Sequence, residues 1–172
     1  MERFYTKIIG TPVRDVDARP ITAVRDVLID PATGNLCALE VDSGKNRVVT
    51  PMDIISWREA ILINDSGSIV DSDEIMRVDE LVKQDIRVYK NRVESKDGTY
   101  IGKVYDFSIG DIDFSLKKLF VAKDIFGLAR YDKRIISAKD IVEILKEKII
   151  VKGDKAVIKE EEEVSVKEMA KA

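Results

Sequence analysis

The sequence predicts a mainly β protein made of two similar small β-barrels in tandem. Three observations carry the prediction: an internal repeat along most of the chain, apolar segments in short β-branched pieces, and turn residues spaced regularly between them. Shifting the chain by 80 positions aligns Ile8 with Val88, Val13 with Val93, Asp17 with Asp97, Ile21 with Ile101, Val24 with Val104, Asp26 with Asp106 and Ile29 with Ile109. Leu36, Leu39 and Val41 fall on Leu116, Leu119 and Val121 at the same offset. The offset then grows. Thr50-Pro51-Met52-Asp53-Ile54-Ile55 matches Ser137-Ala138-Lys139-Asp140-Ile141-Val142 at 87, and Ile61-Leu62-Ile63 matches Ile149-Ile150-Val151 at 88. The second copy therefore carries about seven extra residues around 124–134. Val78, Glu80 and Leu81 still meet Val166, Glu168 and Met169. Two copies are too few for a solenoid or a propeller. The 172 residues divide into a first domain at 1–82 and a second at 83–172, which ends in an acidic tail.

Each element of a repeat has a local reason. Residues 6–10 and 87–93 read as opening strands. Residues 21–30 and 101–109, rich in β-branched and aromatic side chains, read as longer strands. Pro31-Ala32-Thr33-Gly34 is a turn with Pro and Gly in favourable places. In 36–42, Cys37, Leu39 and Val41 alternate with Ala38 and Glu40, the two-residue period of a half-buried strand. Ser43-Gly44-Lys45-Asn46 turns the chain into a strand at 47–49. Thr50 then offers an N-cap, Pro51 suits the first helical position, and Asp53 approximates the acid of a capping box; Ser137 and Asp140 repeat the arrangement. Ile61-Leu62-Ile63 resumes as strand soon after, so each repeat has a short capped helix before its last core strand.

At this level of detail the residues resemble a known family. Ile101-Gly102-Lys103-Val104-Tyr105-Asp106-Phe107-Ser108-Ile109 resembles the opening of a PRC-barrel, the domain named after the photosynthetic reaction centre. So does Ile21-Thr22-Ala23-Val24-Arg25-Asp26-Val27-Leu28-Ile29-Asp30, followed by Thr33-Gly34-Asn35-Leu36. Asp53-Ile54 and Asp140-Ile141 supply the Asp-Ile pair of the capped helix. The resemblance covers nearly the whole chain as two copies, with Thr22 in place of Gly in the first and Gly110 in place of the terminal Asp in the second. It implies small, generally non-enzymatic barrels that bind partners. Hosts of the domain include the reaction-centre H subunit, a ribosome-maturation factor and small proteins linked to sporulation or cell division. Such varied hosts do not give function by themselves, and no catalytic residue or cofactor is implied.

Composition removes several function classes. With 0 His there is no Ser-His-Asp or Cys-His triad and no His-ligated zinc. The single cysteine, Cys37, permits neither an intrachain disulfide nor a CxxC motif, and fits a reducing compartment. The N-terminus lacks an apolar signal-like region, and no apolar run approaches the ~18 residues of a membrane span. A soluble cytoplasmic protein is expected. Net charge is -3, but unevenly placed: 9 basic against 15 acidic residues in 1–82, 17 against 12 in 83–155, and 3 against 5 in 156–172. The acidic first half and the basic second half could attract each other, within or between chains, and the basic half could equally meet RNA or an anionic surface; because its Lys and Arg are interleaved with acids, a solvated surface is the default reading. Glu160-Glu161-Glu162-Glu163 reads as a solvated tail, although the repeat match at Val164, Val166 and Met169 suggests order there.

The remaining chemistry is sparse. Asp26 and Asp106 read as structural acids bonded to nearby backbone. The carboxylate pairs Asp15/Asp17, Asp71/Asp73 and Asp111/Asp113 read as solvated loops rather than cation sites. Cys37 reads as a small buried hydrophobe. The insertion Ile125-Phe126-Gly127-Leu128-Ala129-Arg130-Tyr131-Asp132-Lys133-Arg134 mixes apolar, aromatic and basic residues, a composition of interfaces, and an extended hairpin there would reach a partner; packing against the other repeat or closing its own barrel is the competing reading. Phe126, Leu128, Arg130, Tyr131 and the lone tryptophan, Trp57, are the candidate partner-interface residues, and 126–131 is the candidate surface for a homodimer. The expected function is a non-catalytic protein-interaction or adaptor module in an assembly or scaffolding role. The alternative is an RNA- or ribosome-associated maturation factor using the basic second repeat, and an enzyme with a carboxylate or lysine site comes last.

Overall fold

The structure, a computed structural model, describes residues 1–153 and the strand at 157–159. The expectation of order in 160–172 lies outside the described residues. The chain divides into two compact units, Met1–Ile86 with Ile109–Leu116, and Arg87–Ser108 with Lys117–Ala172.

The first unit begins with β1 (Glu2–Phe4) and a single helical turn, α1 (Tyr5–Ile8). The strand expected at 6–10 is thus replaced by a helix followed by β2 (Pro12–Arg14). Tyr5 and Ile8, three positions apart, are both buried, and a short apolar run satisfies a helical or an extended pattern equally well. Next come β3 (Pro20–Ile29), β4 (Leu36–Val41), β5 (Arg47–Val49), β6 (Ser56–Trp57), β7 (Ile61–Leu62) and β8 (Val70–Asp71). They form one sheet in the order β6-β7-β2-β3-β4-β5-β8, antiparallel throughout except for β2 with β7. The end strands do not pair with each other, so the sheet is an open half-barrel. The helix expected at Thr50 is a 3-10 turn, Pro51–Asp53. The Thr50 hydroxyl donates to the Asp53 carboxylate at 2.6 Å instead of capping a backbone N–H.

A nine-residue helix, α2 (Met76–Gln84), closes the unit. Val78 and Leu81 are buried, and Val78 packs on Leu28, Ala38 and Val48 with Val82 beside them. This overlay corrects the half-buried reading of β4. Ala38 and Glu40 are buried as well as Leu39 and Val41: Val78 of α2 packs over Ala38, and the Arg25 guanidinium lies 4.0 Å from the Glu40 carboxylate. The chain leaves α2 through Asp85 in the left-handed region, φ 53°.

The rest of the chain contains β9 (Arg92–Ser95), β10 (Tyr100–Gly110), β11 (Leu116–Ile125), β12 (Ala129–Ser137), β13 (Ile141–Ile144), β14 (Ile149–Val151) and β15 (Val157–Lys159), all in the second unit except the last two residues of β10 and the first of β11. The strand expected at 87–93 starts late, because Lys90 takes φ 64° and the Asn91 amide holds the chain in a loop by donating to the Arg87 and Leu145 carbonyls. The sheet order is β13-β14-β9-β10-β11-β12-β15, strand for strand that of the first unit. The registers agree at the sequence offsets. Val13 faces Thr22 and Ile61, and Val93 faces Gly102 and Ile149. Leu39 faces Val49, and Leu119 faces Ile136; Val48 faces Val70, and Ile135 faces Ile158. The β14–β9 pair is parallel, as β7–β2 is. The capped helix is again a 3-10 turn, Ala138–Asp140, without a side-chain cap.

Candidate functional site

The inserted residues lengthen one hairpin. β11 and β12 pair antiparallel as Val121 with Arg134, Lys123 with Tyr131, Asp124 with Arg130 and Ile125 with Ala129. A bulge between Val121 and Lys123 interrupts the ladder. Phe126-Gly127-Leu128 closes the hairpin, with the Leu128 N–H donating to the Ile125 carbonyl at 2.9 Å. Phe126 and Gly127 both have positive φ, 51° and 73°, the backbone of a tight hairpin turn that favours Asn-Gly.

The turn carries its apolar side chains outward. Phe126 is 96% exposed, Leu128 88% and Ile125 52%. Tyr131 is 48% exposed, and Arg130 is exposed beside it. Below the turn the hairpin is fastened by polar and aromatic contacts. Arg134 donates to the Asp132 carboxylate at 3.0 and 3.3 Å, and the Lys123 ammonium lies 3.3 Å from it. Arg134 first, and Lys123 with it, holds the Asp132 carboxyl below the usual carboxylate range. The Arg130 guanidinium lies 4.7 Å and the Lys133 ammonium 6.0 Å from the Tyr105 ring centre, and that ring tilts against Phe120. The hairpin is therefore a braced stem with an apolar tip.

Four of the five candidate interface residues, Phe126, Leu128, Arg130 and Tyr131, lie together on this hairpin. Trp57 does not serve as an exposed anchor. It belongs to the first unit, is 8% exposed, stacks on Phe114 at 6.1 Å and carries the Arg3 guanidinium 4.8 Å from its ring centre. Arg3 also donates to the Trp57 carbonyl. The ring is consumed by the unit's own packing.

The acids have backbone and basic partners. Asp26 accepts from the Val27 N–H at 2.7 Å and from the Tyr5 hydroxyl at 3.0 Å, next to a bulge in β3; Asp106 accepts from the Phe107 N–H at 2.9 Å. Asp15 accepts from the N–H groups of Asp17 and Arg19 and from the Arg19 guanidinium, and the Arg19 backbone bond leads in holding its carboxyl low. Asp71 is the N-cap of a capping box with Glu74, and Asp113 accepts from the Ser115 hydroxyl at 2.8 Å. Among the described residues no group of three His, Cys, Asp or Glu side chains is placed to hold a metal ion. Cys37 is half-buried rather than buried, and burial, with Asp30 nearby, pushes its thiol up, away from the thiolate a nucleophile requires.

The geometry so far is that of a half-barrel with structural acids and a hairpin whose apolar tip is exposed. The family model for the PRC-barrel domain matches residues 1–76. The first repeat is similar to a PRC-barrel. A search of curated proteins finds no match. The matched span covers β1 through β8, and so includes the Asp26 bulge and the 3-10 turn at Pro51–Asp53. Among the described residues no helix is long and apolar enough to cross a membrane.

Proposed function

We propose that the chain is a non-catalytic interaction module of two tandem PRC-type barrels, 1–82 and 83–172, acting as an adaptor in assembly or scaffolding. The single observation that carries this reading is the exposed apolar tip on a braced hairpin. Exposed apolar clusters on an otherwise charged surface mark contact sites, and a rigid stem presents the tip at low ordering cost. Phe126, Leu128, Arg130 and Tyr131 form the contact element. The matching strand order and the registers at offsets 80, 87 and 88 support a second barrel, grown from a duplicate of the first and lengthened at the hairpin. The absence of a catalytic role is consistent with acids bound to backbone and a thiol held protonated.

The test is capture from whole lysate, membranes included, with and without nuclease, comparing the intact protein with F126S/L128S. Nuclease-resistant material held by the intact protein and released by the variant is the expected result. Capture that does not depend on the tip would overturn the contact assignment. Recovery of ribosomal RNA lost on nuclease or salt treatment would transfer the reading to the basic second repeat as an RNA-binding surface.

A further inference from the structure

The hairpin tip has a chemistry that narrows what it touches. It is convex: Phe126, Leu128 and Ile125 protrude from a turn. A convex apolar point needs a matching pocket in a protein, but a lipid bilayer accepts it without one. Charge adds a second constraint. Residues 123–134 carry four cations, Lys123, Arg130, Lys133 and Arg134, against two anions, Asp124 and Asp132, within a stretch 83–155 that holds 17 basic and 12 acidic residues in a chain of net charge -3. The stretch 123–134 is thus net +2, with Asp124 facing Arg130 nearest the tip and Lys133 further down the stem. The layering along the stem is a third constraint. Phe126 and Leu128 are outermost, Arg130 and Tyr131 follow, and the Asp132 ion pairs lie further down. At about 3.3 Å per residue the Lys123–Tyr131 pair sits roughly 10 Å below the tip. Interfacial segments bury their apolar face about 5–10 Å into the headgroup boundary, with tyrosine and basic side chains at headgroup level.

We propose that this hairpin docks the protein onto a bilayer bearing anionic headgroups, with Phe126 and Leu128 inserted and Arg130, Lys133 and Tyr131 at the headgroups. The proposal rests on the hairpin being the contact element and names the lipid surface as one of the two sides an adaptor joins. Phe126 occupies a left-handed position, φ 51°, where Asn or Gly is favoured.

The experiment uses the full chain and sedimentation with lipid vesicles, phosphatidylcholine alone against phosphatidylcholine with about one third phosphatidylglycerol. The protein is expected to sediment with the anionic vesicles, and more weakly as NaCl rises from about 0.1 to about 0.5 M. F126S/L128S, checked for unchanged far-UV circular dichroism, is expected to lower apparent lipid affinity at least about tenfold. In a second measurement, F126W should shift its added emission to the blue on anionic vesicles. Vesicle binding that the tip variant leaves intact, or no binding at low salt, would overturn the proposal. In the second case, capture from lysate that still depends on the tip would leave the interaction reading standing with a protein pocket as the occupant. Loss of both would remove the two readings together.

Discussion

A β-carbon added to Gly102 would stand 2.6 Å from the carbonyl oxygen of Ala122 on the neighbouring strand, at a backbone φ of +155°. The clash is with backbone, which cannot swing away. G102A is expected to cost about 2 kcal/mol, read from urea unfolding midpoints. The matched position of the first repeat is Thr22, opposite Val13 as Gly102 is opposite Val93. There the strands admit a side chain, but the buried Thr22 hydroxyl oxygen has no hydrogen-bond partner among the described residues. A buried unsatisfied hydroxyl costs free energy that a methyl does not. T22V is therefore expected to raise stability by about 1 kcal/mol, and an unchanged midpoint would count against the desolvation argument. The two units thus carry different residues at corresponding strand positions, with different penalties.

At the scale of elements, the hairpin sets stability against the proposed contact. A left-handed conformation costs an ordinary L-residue about 1–2 kcal/mol, and Asn less. F126N is expected to stabilise the chain by about 0.5–1 kcal/mol in thermal unfolding while it weakens the tip contact. A variant that loses both stability and contact would show that the ring packs inward instead. The stem has its own dependence. The Asp132 carboxylate is shared by Arg134 and Lys123 beside a bulge. D132N is expected to loosen the hairpin, seen as faster amide exchange in β11 and β12 with the sheet around Leu119 and Ile136 unchanged.

The whole molecule carries carboxylates held low by their surroundings. Asp30 is lowered by the hydrogen bonds of Arg77, Glu94 by Arg92 and then Lys148, Asp132 by Arg134, and Asp15 by the backbone of Arg19. A carboxyl whose folded pKa lies below its unfolded value stabilises fully above the unfolded value, about 4. That contribution is lost as pH falls through the folded pKa, because the unfolded chain then binds more protons. Unfolding free energy is therefore flat from neutral pH to about 5 and declines below about 4. Urea titrations at pH 7, 5 and 3 check the slope. D30N should flatten it, since the Arg77 fork, at 2.7 and 3.0 Å, then meets a neutral amide.

The sequence by itself determined the mainly β class and the place of the long hairpin, because strand periodicity and turn residues are local properties. It also placed Phe126, Leu128, Arg130 and Tyr131 on one hairpin, since antiparallel strands joined by a tight turn keep neighbours in sequence close in space. Only the tertiary structure decided the rest. Tyr5 and Ile8 lie on a helical turn because the core needs both on one side. Ala38 is buried because Val78 of α2, 40 residues further on, packs over it. Val78, Leu81 and Val82 at helical spacing are the local signal of α2. Trp57 left the candidate interface because Phe114, more than fifty residues away in sequence, stacks on it. Burial is set by what packs on a residue from elsewhere in the chain, and no local pattern contains that information.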